Sequence, residues 1–370
     1  MCFAAISLTL IGAAGAFAQQ SMTGPVWNPK AAAAYLDGRS AWWMPWPKAQ
    51  RDHETFCVSC HTLAPYALGR PALHSVLGEN GPSPNEQKML GNIVRRVRTW
   101  NEVEPFYSDQ TAGVPKTSES RGTEAILNAL ILASSDARAG KTLSADARLA
   151  LDNMWALQLK SGDSNGSWAW LQFHNAPWEG DSQFYGTALA AVAVGTAQGA
   201  YRSEPAVQAG IKRMNAWLQK NMANQTLADR AVLLWASAKL SGLLTEEQQR
   251  SVATEIMSKQ HEDGGFSMSN LVGSWKRRDN TPLDAGSDGY ATGLVAFAFE
   301  QVNRPATNAS VERALVWLSA NQIPAEGRWP ATSLNKQREL SSDAGLFMSD
   351  AATAYAVMAL EHANSPGRRQ

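Results

Sequence analysis

The sequence predicts an all-α fold built from repeated helix pairs. Three observations carry that expectation. From about Thr123 onward the chain runs in long Ala/Leu-rich stretches at helical spacing, without strand-like alternation. Loops rich in Gly, Asp and Trp interrupt those stretches. One loop pattern recurs three times, as a repeat architecture requires.

The apolar spacing predicts helices over 85–100, 124–134, 145–159, 184–197, 204–221 and 227–239, then 245–260, 290–301, 311–320 and 351–362. Ser144 and Thr245, the latter followed by Glu246 and Glu247, have the chemistry of helix starts. Pro105, Pro115, Pro177 and Pro282 mark connectors.

The repeat reads as follows. Gln158 leads to Gly162-Asp163 and Gly166-Ser167-Trp168. Gln260 leads to Asp263-Gly264-Gly265-Phe266, and Gln322 to Gly327-Arg328-Trp329. After each comes a polar loop and an Asp opening a small-residue helix, at Asp181, Asp288 and Asp350. Glycine permits the left-handed turn that ends a helix. The aromatic plugs the gap between neighbouring pairs. An Asp at a helix start accepts from free backbone N–H groups and suits the helix dipole.

Gln followed by Gly-x-Trp or Gly-Gly-Phe resembles the QW repeats of squalene-hopene cyclases, shared more loosely with protein prenyltransferase β subunits. The resemblance covers roughly residues 120–363. It implies an α/α toroid, inner and outer helices around a central cavity, here of about five to six pairs with an N-terminal haem c-binding segment at one rim. The cyclase DxDD acid motif is absent. No Cys follows Cys60, so the prenyltransferase zinc set is absent too. Neither activity carries over.

The haem expectation comes from Phe56-Cys57-Val58-Ser59-Cys60-His61-Thr62. Cys-x-x-Cys-His is the c-type haem attachment pattern. Two thiols one helical turn apart reach the two haem vinyl groups, and the adjacent His ligates the iron. Zinc needs about four ligands, and there is no second Cys pair. A thioredoxin-like pair wants a βαβ surround; a plain disulfide is the remaining alternative. Cys57, Cys60 and His61 are thus the expected haem c-binding set, one covalent haem per chain with His61 as the proximal iron ligand. Met89 is the first candidate for the distal ligand, although its spacing with Ile93 and Val97 also reads as core. Met44, His53, His74 and His174 are further candidates. Trp27, Tyr35, Trp42, Trp43, Trp46 and Phe56 precede the motif and suit the apolar wall a macrocycle wants.

Other candidate site residues are acids and one His. Asp181, Asp288 and Asp350 fall at one place in three repeats, which suits capping. Equivalent inner-helix starts also converge on one end of a toroid, where carboxylates serve acid–base chemistry. Glu179 and Asp284 stand beside them in sequence. His174, in Trp170-Leu-Gln-Phe-His174-Asn-Ala-Pro-Trp178, is unrepeated and flanked by aromatics. These four, His174, Asp181, Asp288 and Asp350, are the catalytic candidates.

The chain has 370 residues with 33 Lys plus Arg against 33 Asp plus Glu. A balanced chain lacks the basic footprint that nucleic acid requires. Lys276-Arg277-Arg278 reads as solvated surface. Residues 4–17 are apolar, and Ala16-Phe17-Ala18 fits a signal-peptide cleavage site, although a basic n-region is missing. Cys2 falls within that leader. Nothing later is long and apolar enough to span a membrane. The expected organisation is a signal peptide at 1–18, a haem c-binding segment at 19–119 and the toroid at 120–365. The expected protein is a periplasmic monohaem cytochrome c performing electron transfer with a redox partner protein, its toroid a binding or docking domain. A haem-dependent enzyme acting on an apolar, isoprenoid-like small molecule, and a haem-based sensor or structural module, are the alternatives.

Overall fold

A computed structural model describes residues 27–364. The expected signal peptide at 1–18, Cys2 included, lies outside the described residues. Twelve longer helices are found among the described residues. They are α1 (Pro29–Trp43), α2 (Leu63–Gly69), α3 (Pro84–Arg98), α4 (Lys116–Arg138), α5 (Ala145–Ala156) and α6 (Phe184–Thr196). They continue as α7 (Pro205–Asn221), α8 (Leu227–Lys239), α9 (Glu246–Met257), α10 (Gly289–Val302), α11 (Asn308–Asn321) and α12 (Phe347–Asn364). A hairpin of two-residue strands, Gln50–Arg51 against Thr55–Phe56, is the only sheet among the described residues.

Even-numbered helices form an inner ring and odd-numbered ones surround it. α4 packs on α6, α6 on α8, α8 on α10 and α10 on α12. α12 packs on α2 and α2 on α4, so the ring closes. The architecture is an α/α toroid of six helix pairs. Burial explains the two layers. α6, α10 and α12 are buried nearly all round, as apolar helices in a core must be. α7 buries only the stripe Val207, Gly210, Ile211, Met214, Trp217 and Leu218 and turns the rest to solvent.

The sequence patterns act as predicted in the outer layer. Thr245 forms a capping box with Gln248 at the start of α9 and Ser144 caps α5, while at the start of α3 an unpredicted box joins Ser83 and Glu86. Trp168, Phe266 and Trp329 are fully buried plugs. The repeated Gln has a role spacing did not reveal. Gln158 donates to Gly166 O and to Gly210 O of α7. Gln260 donates to Gly264 O and to Ser310 O of α11. Each fastens its own turn to the next outer helix. Gln322 does the same to the first: it donates to Gly327 O at 2.9 Å and Asn28 O at 3.1 Å, and accepts from Asn28 N at 2.6 Å.

One expectation is corrected here. The N-terminal segment expected to stand at one rim as a haem-binding unit supplies α1, α2 and α3, the walls that complete the ring. All seven residues of α2 are buried. A Cβ on Gly69 would lie 2.8 Å from Ala354 Cα, so only glycine lets α2 approach α12 this closely. α2 escapes helical periodicity because it is short, apolar on every side and contains Pro65. The buried pair Arg96 and Glu124, 2.5 Å apart, ties α3 to α4. Arg277, read as surface, is buried and donates to Ser333 O.

Candidate active site

The starts of α2, α6, α8 and α12 lie around one mouth, where His61, Tyr185, Asp229 and Phe347 line its openings. A finger spanning 173–182 projects into it. The finger is held by Phe173 N and Asn175 N donating to Glu179 O, and Glu179 N donating to Asn175 O. It contains a cis Ala176–Pro177 bond. Trp170 Nε1 donates to Trp178 O at 2.5 Å. The Trp178 ring packs against His61 and Tyr290.

The finger divides the mouth. On one side lies a crevice of about 470 Å³ lined by His174, Asp181, Tyr185, Gln225, Asp229 and Trp275, among others. On the other lies a cavity of about 310 Å³ lined by His61, Glu179, Arg278, Asn335, Arg338 and Phe347, among others.

Two carboxyls of unlike environment share the crevice. Asp229 sits in the first turn of α8, half-buried, and accepts from Thr226 Oγ1 at 2.7 Å. Burial pushes its carboxyl up to about 6. Asp181 is exposed and accepts from His174 Nδ1 at 2.9 Å. His174 stacks on Trp275 at 4.1 Å, and its Nε2 faces Lys276 O at 3.2 Å. Both ring nitrogens therefore face oxygen acceptors.

The other candidate acids are placed apart from the crevice. Asp288 is the N-cap of α10, accepting from Ala291 N and Met268 N; burial pushes it up to about 6. Asp350 lies inside the first turn of α12. It accepts from Tyr35 at 2.7 Å, Arg39 at 2.8 Å and Thr62 at 2.7 Å, fastening α1 and α2 to α12. Burial raises its carboxyl, with Arg39 opposing. The structure thus brings His174 and Asp181 together and leaves Asp288 and Asp350 in the scaffold. Sequence reasoning missed Asp229, Trp275, Asn335 and Arg338. Asp229 reads as an ordinary first-turn acid after Thr226, and nothing local marks it as facing a crevice.

A helical toroid of six pairs with a carboxyl-bearing crevice at the mouth is the class that fold and site define. No family model matches the chain, and no curated protein matches it. Among solved structures it is similar in fold to an alpha-1,6-mannanase, GH76A, from Salegentibacter sp. HEL1_6. The TM-score is 0.53 at 11% identity, covering 90% of this chain and 98% of that chain. An inactive variant of that mannanase in complex with alpha-1,6-mannotriose gives 0.53 at 11% identity, covering 90% and 100%. A glycosidase variant in complex with glucose gives 0.50 at 14% identity, covering 91% and 98%.

The expectation of a c-type cytochrome joined to a squalene-hopene-cyclase-like toroid is corrected by these findings. Nine-tenths of the chain, far more than residues 120–365 alone, matches the toroid of one solved mannanase. Haem c does not fit the residues present. Cys57 and Cys60 are buried within the core, and the gap beside Cys60 is about 20 Å³. His61 is stacked on Phe347 at 3.8 Å and met edge-on by Trp43, while its Nδ1 is bonded to Thr62 Oγ1. The cavity beside it is polar, where a macrocycle wants an apolar pocket. Met89, the expected distal ligand, is a core residue of α3 with Ile93 and Val97 and does not line that cavity. Trp42, Trp43 and Trp46 pack on one another rather than around a cofactor. Among the described residues no group of three or more His, Cys, Asp or Glu is placed to hold a metal ion. Haem-mediated electron transfer, the haem-dependent isoprenoid enzyme and the haem sensor all fall with the cofactor. No helix among the described residues is long and apolar enough to cross a membrane.

Proposed function

We propose that the protein is a glycoside hydrolase whose saccharide binds in the crevice beside the finger. The observation that supports this best is the pair of carboxyls in one crevice, Asp229 pushed up to about 6 by burial and Asp181 exposed. Glycosidic bond cleavage needs one carboxyl that keeps its proton and one that does not. Asp229 is the general acid: it passes its proton to the glycosidic oxygen as the anomeric C–O bond breaks. Asp181 is the carboxylate, oriented by His174. It either takes a proton from the water that attacks the anomeric carbon or attacks that carbon itself. The anomer released first distinguishes the two routes. Trp275 and Tyr185 offer aromatic surface to the apolar face of a sugar, and Asn224, Gln225 and Lys276 offer polar contacts to its hydroxyls.

The fold neighbours named as a mannanase and a glycosidase favour the same chemistry. The mannanase variant described as inactive has two adjacent aspartates changed; this chain has no adjacent Asp pair, so its acids are assigned from its own crevice. The reading includes export to the periplasm, supported by the apolar leader and its Ala16-Phe17-Ala18 site.

The test is reducing-end release by the purified protein from α- and β-linked manno- and gluco-oligosaccharides. Wild type is expected to hydrolyse at least one linkage, and Asp229→Asn and Asp181→Asn to lower kcat by about 10²–10⁴-fold. A folded wild-type protein that cleaves none of them, or an Asp229→Asn variant at full rate, overturns the proposal.

A further inference from the structure

Across the finger, the 310 Å³ cavity is chemically unlike the crevice. Two guanidinium groups line it, from Arg278 at its mouth and half-buried Arg338. Neither is in an ion pair among the described residues. Arg278 donates to the Phe173 carbonyl, and Arg338 reaches Asn335 Oδ1 only at 3.5 Å. A partly desolvated cation without a counter-charge is costly, and an anion entering beside it recovers that cost.

The opposite wall carries His61, nine-tenths buried. The Thr62 hydroxyl has one proton, and the Asp350 carboxylate accepts it at 2.7 Å. Thr62 Oγ1 must therefore accept from His61 Nδ1–H, 2.9 Å away. That fixes the tautomer and leaves Nε2 with a lone pair and no partner. Burial holds this ring neutral, its value lowered to about 3, with the charges of Arg39 and Arg338 adding to the effect. Arg338 and His61 thus face the same space, one as donor and the other as acceptor.

Glu179 lines the same cavity, and burial pushes its carboxyl up to about 7. In its protonated form it donates a hydrogen bond. Tyr107, Phe173, Trp178 and Phe347 supply aromatic walls. The first turn of α12 also opens here through Phe347 and Met348, and its dipole favours negative charge.

We propose that this second cavity binds a uronate, a sugar ring bearing a carboxylate, with the carboxylate held by Arg338 and Arg278 and a ring hydroxyl donated to His61 Nε2. A planar guanidinium matches a carboxylate in two-point fashion. The carboxylate's second oxygen accepts from protonated Glu179. Phosphate fits less well, because it has no ring to lay against the aromatic walls of Tyr107, Phe173, Trp178 and Phe347. The inference extends the hydrolase reading to acidic glycans, and its saccharide class rests on that reading.

The experiment is titration calorimetry of the whole protein with glucuronate, galacturonate, glucose and inorganic phosphate. The uronates are expected to bind at least tenfold tighter than glucose or phosphate. Arg338→Gln is expected to weaken uronate binding at least tenfold. Arg338→Lys, which keeps charge and fold but loses the planar fork, is expected to fall between, and Asp229→Asn to bind as wild type does. Glucose or phosphate matching the uronates, or uronate binding unchanged in both Arg338 variants, overturns the proposal. Uronate binding without any hydrolysis supports this site and removes the hydrolase reading, so the two failures are distinct.

Discussion

Replacing Gln322 by Leu should open the seam where the toroid closes on itself. The change keeps the side chain's bulk and removes three hydrogen bonds, two donated by Nε2 to Asn28 O and Gly327 O and one accepted from Asn28 N. Gln322 is 7% exposed, so the stranded groups are only partly recovered by water. At about 1 kcal/mol for each bond lost, and more for a group left buried and unpaired, the expected cost is about 2–4 kcal/mol. For a chain of this length, with unfolding entropy near 2 cal/mol/K per residue, that lowers Tm by about 3–5 °C. Because Asn28 caps α1, the damage should concentrate at the N-terminal helix. Urea melting measures the stability, and limited proteolysis with N-terminal sequencing measures release of α1. A shift in Tm under 1 °C, or proteolysis that begins elsewhere at the wild-type rate, would refute the assignment of Gln322 as the closing clamp.

Further tests address packing, thiols and pH. Gly293→Ala in α10 places a Cβ 2.7 Å from Ala356 N and 3.0 Å from Tyr355 C of α12, so it should destabilise by about 1–3 kcal/mol in urea melts. Burial raises both thiols, Cys57 to about 12 and Cys60 above its ordinary value. Both should resist Ellman's reagent at pH 8 and titrate fully in guanidinium, whereas thioether-linked cysteines would never titrate. Glu179 is held protonated by the fold up to about 7 against an ordinary 4.5. Between those values the native state binds the extra proton, so this group's contribution to stability falls as pH rises. Allowing for its partial exposure, the loss should be about 1–2 kcal/mol between pH 4.5 and 7.5. Glu179→Gln should flatten that part of a stability-against-pH curve; an unchanged slope would show the carboxyl to be solvated.

Much of the scaffold was legible because outer helices are amphipathic and the loop repeat is local. α8 begins and ends where the spacing placed it, and α6, α7 and α10 differ by a residue or so. α4 begins eight residues before the predicted start, since its first turns are polar. The site was far less legible. His174 and Asp181 stand out along the chain, and they do meet. Their partner Asp229 comes from α8, one inner helix beyond α6, and Arg338 of the second cavity from a loop more than 150 residues beyond Asp181. Cys-x-x-Cys-His was the most specific local pattern, and its meaning changed once α2 was seen buried in the ring wall.

By itself the sequence determined the helical class, the six-pair periodicity to within one pair, and the turn chemistry of Gln, Gly and aromatic in each repeat. These follow from interactions within a few residues of chain, which spacing encodes. Only the tertiary structure decided that the N-terminal segment closes the ring, that Gln322 fastens the last pair to the first, and that Asp181 and Asp229 line one side of the finger while Arg278 and Arg338 line the other. Burial and charge at those places depend on side chains brought together from distant helices. A raised carboxyl such as Asp229, or an uncompensated arginine such as Arg338, is a property of that enclosure rather than of the residue.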